Sequence, residues 1–144
     1  MSQDWRIVTV SKQKQQGTTH ESWIVKELQS IGLTARRLAE GGTADEGDVE
    51  TFIIGKRWVL EGKARQNLNI QQTLGKARTK AGGNTPVAVI WKRLVRVAGY
   101  KVRQPVEGER ITVSLGWDDF VALVSKTEQV VCQCGVKNNN KEIL

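Results

Sequence analysis

The sequence predicts an α/β domain in which a mixed central β-sheet is flanked by helices. Two apolar, β-branched runs, residues 49–54 and 58–60, are joined by a glycine-containing turn, as in a β-hairpin. Segments with apolar residues at helical spacing lie before and after this hairpin. A nearly continuous apolar run, residues 86–91, follows the second of them and is typical of a strand covered on both faces.

The predicted order of elements is helix, three strands, helix, strand. The first helix covers residues 20–30, where Ile24 and Leu28 recur at helical spacing. A strand over residues 33–38 precedes the hairpin, whose turn is predicted at Gly55-Lys56 with type II′ geometry. The second helix, residues 67–80, ends at a glycine pair.

Outside a core of about residues 17–92, a short strand (5–10) and a flexible basic arm (11–16) are predicted before the first helix. After the core we expect an extension, residues 93–124, and a polar tail, residues 125–144. The extension contains predicted strands at 94–97, 100–103 and 110–115 and a short helix at 117–124. The whole chain is predicted to be a single domain.

The chain has 144 residues, a net charge of +7 and a pI of about 9.7. That balance favours a polyanionic partner, of which nucleic acid is the commonest, although excess charge can also serve solubility alone. No apolar run is long enough for a membrane span and no signal peptide is recognisable, so an intracellular location is expected. Cys132 and Cys134 are interpreted as free thiols, and the glycine-rich segment 39–47 lacks the P-loop pattern, so no nucleotide cofactor is expected.

The hairpin also carries the candidate site. On its second strand Glu61 and Lys63 share a face because side chains alternate along a strand, whereas Trp58 and Leu60 point the other way. Asp48, at the start of the first strand, lies across from them. Two carboxylates and an ammonium at one end of a hairpin indicate a divalent-metal site. The alternative is a solvated ion pair of little consequence.

The ordered set of motifs resembles the PD-(D/E)xK nuclease superfamily, and within it the archaeal-type Holliday junction resolvases. The matching residues lie within about residues 17–92 and appear in the family's order: Gly17, Glu21, Arg36 or Arg37, Gly41-Gly42, Asp48-Val49 and Glu61-Gly62-Lys63. The resemblance implies a restriction-endonuclease-like fold. The extension after residue 92 departs from the family's compact end.

The resemblance also implies roles for individual residues. Asp48, Glu61, the Gly62 carbonyl and Glu21 would hold Mg²⁺, for which Mn²⁺ would substitute, because Mg²⁺ prefers hard oxygen ligands. Lys63 would orient or deprotonate the attacking water or stabilise the phosphate. Gln71 would support the site. Phosphate contacts are expected from a set of basic residues, namely Lys12, Lys14, Arg36, Arg37, Arg65, Lys76, Arg78 and Lys80.

The function that the resemblance implies is metal-dependent cleavage of branched DNA, such as a four-way junction. A homodimer is expected because two symmetric nicks need two sites. Two alternatives remain at this point: a general or restriction-like DNA nuclease or nickase, and a non-catalytic nucleic-acid-binding module on the same fold.

Overall fold

The computed structural model describes residues 12–38, 47–106 and 111–133, with side chains described between residues 16 and 126 of those ranges. Its elements are α1 (Lys12–Ser30), β1 (Ala35–Arg37), β2 (Val49–Ile53), β3 (Lys56–Arg65), α2 (Ile70–Ala81), β4 (Val87–Val95), β5 (Gln104–Pro105), β6 (Thr112–Leu115) and α3 (Trp117–Gln133). The predicted core order of helix, three strands, helix and strand is confirmed. No helix within the described ranges is long and apolar enough to cross a membrane.

The described strands form one mixed sheet in the order β1-β2-β3-β4-β5, with β6 also on β4. All pairings are antiparallel except that of β3 with β4. Parallel neighbours need a crossover, and α2 supplies it. The predicted mixed α/β sheet is thus confirmed, with the hairpin strands β2 and β3 inside it.

The sheet has a buried cluster on each face. Ile24 of α1 packs on a cluster that contains Trp58 and Leu60, whereas Leu74 of α2 packs on one that contains Val59. Successive residues of β3 therefore point to opposite helices. β4 alternates in the same way, which explains why its sequence is nearly continuous in apolar residues.

The hairpin turn differs from the prediction. The two-residue loop is Ile54-Gly55, because Ile53 pairs with Lys56, and both loop residues have positive φ, as in a type I′ turn. A turn at Gly55-Lys56 would have slipped the strands relative to each other. The observed register places Val49 opposite Leu60 on one buried face, and burial of that face fixes the pairing.

The first helix begins at Lys12, eight positions before the predicted start at residue 20. The predicted flexible arm was therefore wrong over residues 12–16. A polar, glycine-containing segment has little helical signal of its own. The predicted strand at 5–10 lies outside the described residues.

The extension was predicted least well. β4 runs unbroken to Val95, a bend replaces the predicted strand at 100–103, and α3 continues to Gln133 instead of ending at residue 124. Pairing with β5 and β6 along one edge of β4 accounts for its extra length. Within α3, Phe120 is 45% exposed, whereas Leu123 packs against the α1-side cluster. Residues 134–144, including Cys134, lie outside the described residues.

Candidate active site

Asp48 and Glu61 meet at the end of the hairpin opposite its turn. The pairing of Val49 with Leu60 brings Asp48 beside the next residues of β3, and its Oδ2 accepts a hydrogen bond of 2.8 Å from the Gly62 amide. A Cβ at Gly47 would lie 3.8 Å from Glu61 Oε2 and would clash with the Val59 side chain. Gly47, with φ of +123°, therefore lets the chain before Asp48 pass close to Glu61.

Glu61 is buried, with 3% of its surface exposed, and its two oxygens have different surroundings. Oε1 lies 2.8 Å from Lys63 Nζ and 3.5 Å from Lys80 Nζ. Oε2 is buried without a hydrogen-bond partner among the described residues. A buried carboxylate oxygen without a donor is costly, and a bound cation or water would satisfy it.

Burial and the neighbouring carboxylates disfavour the ionised form of Asp48. Burial raises the pKa of Asp48 to about 6, and the negative charges of Glu61 and Glu21 act in the same direction. The Lys63 ammonium and the Gly62 amide oppose this rise. Three carboxylates are thus close enough to affect one titration, and a cation between Asp48 and Glu61 would relieve their repulsion.

Glu21 reaches this end of the sheet from α1. A Cβ at Gly62 would lie 3.2 Å from Ile24 Cδ1 and 3.5 Å from Glu21 Cγ, so the glycine lets the helix approach the strand closely. Glu21 Oε2 accepts hydrogen bonds from Arg37 Nε at 3.1 Å and from the Arg37 terminal nitrogen at 2.7 Å. Arg37 therefore holds Glu21 beside the acidic pair.

The donor set fits Mg²⁺ in its chemistry. Asp48 and Glu61 offer carboxylate oxygens, and Oε2 of Glu61 is buried without a partner in the part of the chain that the structure describes. Mg²⁺ is commonly held by one or two carboxylates plus waters and phosphate oxygens. No group of three or more His, Cys, Asp or Glu side chains is arranged around one metal position in the described part of the chain. Glu21, which is turned toward Arg37, is thus not part of such a group.

A cavity of about 270 Å³ opens in front of Glu61 and Lys63 on the α2 face. Its walls include a set of polar and basic side chains, namely Arg65, Gln72, Lys76 and Lys80. Gln72, Lys76 and Lys80 recur every four residues along α2, so they lie on one stripe of the helix. The cavity places several cations beside a buried acid, and the cations favour a phosphate ligand.

The structure separates some residues that the sequence grouped together. Gln71 lies on another side of α2, in a cavity with Arg78 and Trp117, so Gln72 and not Gln71 faces the candidate site. Arg78 contacts Gly116 and does not share the cavity of the acids.

The predicted basic residues have different partners. Arg36 is bonded to Glu50 at 2.7 Å, whereas Arg37 is bonded to Glu21. Arg65, Lys76 and Lys80 line the cavity. Lys12 and Lys14 lie in α1, but the structure does not describe their side chains.

Sequence reasoning missed two direct features of the site. Lys80 was expected only to contact DNA, yet its ammonium lies 3.5 Å from Glu61. Gln72 was passed over in favour of its neighbour. The four-residue spacing of Gln72, Lys76 and Lys80 is visible in the sequence and was the signal that could have found both.

No protein-family model matches the sequence, and a comparison with curated proteins finds no match. Among solved structures, the chain is similar to Hjc of Archaeoglobus fulgidus, a Holliday junction resolvase from an archaeal hyperthermophile. The match has 18% sequence identity and a TM-score of 0.40, and it covers 76% of this chain and 99% of that one.

Proposed function

We propose that this protein is a Mg²⁺-dependent DNA endonuclease that cleaves branched DNA as a homodimer, in the manner of a Holliday junction resolvase. The observation that carries the proposal is the buried Glu61, which lies beside Asp48 with one oxygen bonded to Lys63 and the other without a partner among the described residues. This arrangement joins two acids, an ammonium and a cationic cleft at one strand end. A module that only bound phosphate would gain nothing from acids beside its anion.

Asp48 and Glu61 would hold the metal ion, with the Gly62 carbonyl as a further ligand. A bound Mg²⁺ would supply charge neutralisation at the phosphate and a nucleophilic water at neutral pH. The Gly62 amide orients the Asp48 carboxylate by its hydrogen bond, and Arg37 orients Glu21. These contacts fix the acids in place before substrate binds, as electrostatic catalysis requires.

Lys63 is the candidate for positioning the water and stabilising the developing charge. Its ammonium lies 2.8 Å from Glu61, and its side chain is 22% exposed, so it is both held and accessible from the cavity. Lys80 shares the same Glu61 oxygen. Substrate phosphate in the cavity would therefore meet two ammonium groups and the side chains of Arg65 and Lys76.

The proposed substrate is branched DNA, and the proposed active form is a homodimer. A four-way junction is resolved by two symmetric cuts, so two copies of the site are needed. The resemblance of the ordered motifs to the archaeal-type resolvases supports this choice of substrate. The net charge of +7 supports a DNA ligand bound through its phosphates.

The test is cleavage of labelled four-way junction, flap, single strand and linear duplex in parallel, with Mg²⁺ or Mn²⁺. Asp48→Asn and Glu61→Gln should each reduce junction cleavage by at least ~100-fold, because each removes a ligand charge while keeping its shape. Their affinity for uncut junction should stay similar or rise, since a negative group near phosphate is neutralised. Asp118→Asn, which alters an exposed acid at the start of α3, is the matched control and should cleave like the parent.

Lys63→Ala separates the roles of the lysine and the acids. It should stop cleavage yet leave stabilisation of the protein by Mg²⁺ in place, as measured by thermal denaturation. If the parent protein cuts no DNA with either metal, the enzyme proposal fails and the binding module replaces it. If it cuts linear duplex as readily as the junction, the assignment becomes a general nuclease.

A further inference from the structure

A second basic groove lies on the other face of the sheet from the acid-lined cavity. It consists of two adjoining cavities of about 380 Å³ and 530 Å³, which share the walls Gln16, Ala64, Val102 and Arg103. Ala64 follows Lys63 directly on β3 and, by strand alternation, points toward the α1 side. The groove therefore begins one residue from the candidate active site.

The groove is cationic, and the described residues supply it with no counterion. Lys92, Arg96, Lys101 and Arg103 line it, and no carboxylate lines either cavity among the described residues. None of the ion pairs within the described ranges involves these four side chains. Their charge is available to an external anion, and the low-dielectric walls strengthen its effect.

Tyr100 lies at the edge of this groove, in a hydrogen-bonded turn. Its amide donates to the Val97 carbonyl at 3.2 Å, and Gly99 has the positive φ that the turn needs. Pairing of Val95 with Gln104 closes the loop. The tyrosine is 64% exposed although it lines a cavity, so its ring is open to a ligand.

We propose that this groove binds a short unpaired stretch of DNA, with a base stacked on Tyr100 and the phosphates on the surrounding cations. Cations that track a backbone beside an exposed aromatic ring are the features of single-strand binding sites. The volumes are those of small-ligand clefts and fit one or two nucleotides, not a duplex. The choice of DNA as ligand rests on the proposed nuclease function.

The position of this groove would let it contribute to the choice of substrate. The carboxyl end of β3 lies between two basic surfaces: Lys63 and Arg65 face the acid-lined cavity, and Ala64 faces the groove. A duplex offers no unpaired base to the second surface. A DNA branch or fork offers both a duplex arm and unstacked bases, so occupation of both surfaces would favour branched over linear DNA.

The experiment measures binding of labelled oligo(dT) and of a blunt duplex by fluorescence anisotropy in EDTA. Tyr100→Ala should weaken oligo(dT) binding by roughly 5- to 100-fold, since it removes one base stack, whereas Tyr100→Phe should retain it. Lys101→Ala and Arg103→Ala should each reduce the slope of log affinity against log salt by about 0.7. Duplex affinity should be unchanged by Tyr100→Ala. Lys26→Ala, an exposed lysine of α1 outside the groove, is the matched control.

Equal oligo(dT) affinity of Tyr100→Ala and the parent, with unchanged melting temperatures, would overturn the proposal. Displacement of oligo(dT) by inorganic phosphate as efficiently as by thymidine monophosphate would also overturn it, because it would show a simple anion site. The two proposals fail separately. Loss of oligo(dT) binding in Tyr100→Ala without any cleavage by the parent would refute the nuclease alone, whereas Asp48-dependent cleavage with unaltered oligo(dT) binding would refute the groove alone.

Discussion

Replacing Asp48 by Asn should stabilise the metal-free protein at alkaline pH. In the folded chain, burial and the charges of Glu61 and Glu21 raise the pKa of Asp48 from its usual 3.8 to about 6. A carboxyl whose pKa is higher in the folded state favours folding when protonated. Its stabilising effect is complete below pH 3.8 and is lost as the pH rises through about 6.

The size of the effect follows from the same pKa. A rise from 3.8 to about 6 corresponds to a penalty of about 3 kcal/mol at pH 8, which falls to about 1 kcal/mol at pH 4.5. Asn carries no charge and keeps an oxygen that can accept the Gly62 amide hydrogen bond. Because water penetration weakens such effects, we expect Asp48→Asn to gain about 1–3 kcal/mol at pH 8 and clearly less at pH 4.5.

The assay is urea or thermal denaturation of both proteins across this pH range in EDTA. For a chain of this size, each 1 kcal/mol corresponds to a melting-temperature shift of about 3–5 °C. Adding Mg²⁺ at pH 8 should reduce the difference in stability between the two proteins. The ion stabilises the parent protein but has one ligand fewer in Asp48→Asn. Asp118→Asn should show no gain at alkaline pH, since it removes an acid from the first turn of a helix, where negative charge is favourable.

Two results would refute this reasoning. If Asp48→Asn destabilised the protein equally at both pH values, the hydrogen bond to Gly62 would matter more than the repulsion among the acids. If Mg²⁺ stabilised parent and variant alike, Asp48 would not be a metal ligand. The first result would revise the electrostatics of the site, and the second would remove the basis of the proposed metal centre.

Two further predictions concern the turn and the second helix. Ile54→Asn should raise the free energy of unfolding by about 1 kcal/mol, measured as a higher urea midpoint. Ile54 is a β-branched residue with φ of 50°, whereas Asn-Gly suits a type I′ turn. A lower urea midpoint would contradict the assigned turn. Gln72→Ala should slow junction cleavage by roughly 10-fold or more, whereas Gln71→Ala should leave the cleavage rate unchanged. The reason is that, of these two glutamines, only Gln72 lines the cavity of Glu61 and Lys63. Equal effects of the two substitutions in single-turnover assays would argue against this placement.

The sequence predicted the parts of this protein that depend on local periodicity. Alternation along β3 placed Glu61 and Lys63 on one face, and the structure shows them 2.8 Å apart. Arg36 and Arg37 are consecutive residues of β1 and so lie on opposite faces, and they bond to different acids, Glu50 and Glu21. These inferences hold because a strand has a side-chain period of two whatever packs against it.

Tertiary structure decided what periodicity leaves open. The turn at Ile54-Gly55 follows from burial of Val49 against Leu60, and the rotation of α2 about its axis selects Gln72 over Gln71. Both depend on how whole faces pack, which adjacent residues do not reveal. The contact between Lys80 and Glu61 has the same origin.

The bounds of the helices and strands also depend partly on local sequence and partly on packing. The hairpin and β4 were recognised from their apolar runs, yet the length of β4 depends on β5 and β6 beside it. Glu21 could be placed on a helix from the sequence, but its bond to Arg37 required α1 to settle against Gly62. By itself the sequence determined which residue types lie on which face of each element. Only packing decided which faces meet, because contacts between distant segments depend on the fit of the whole core.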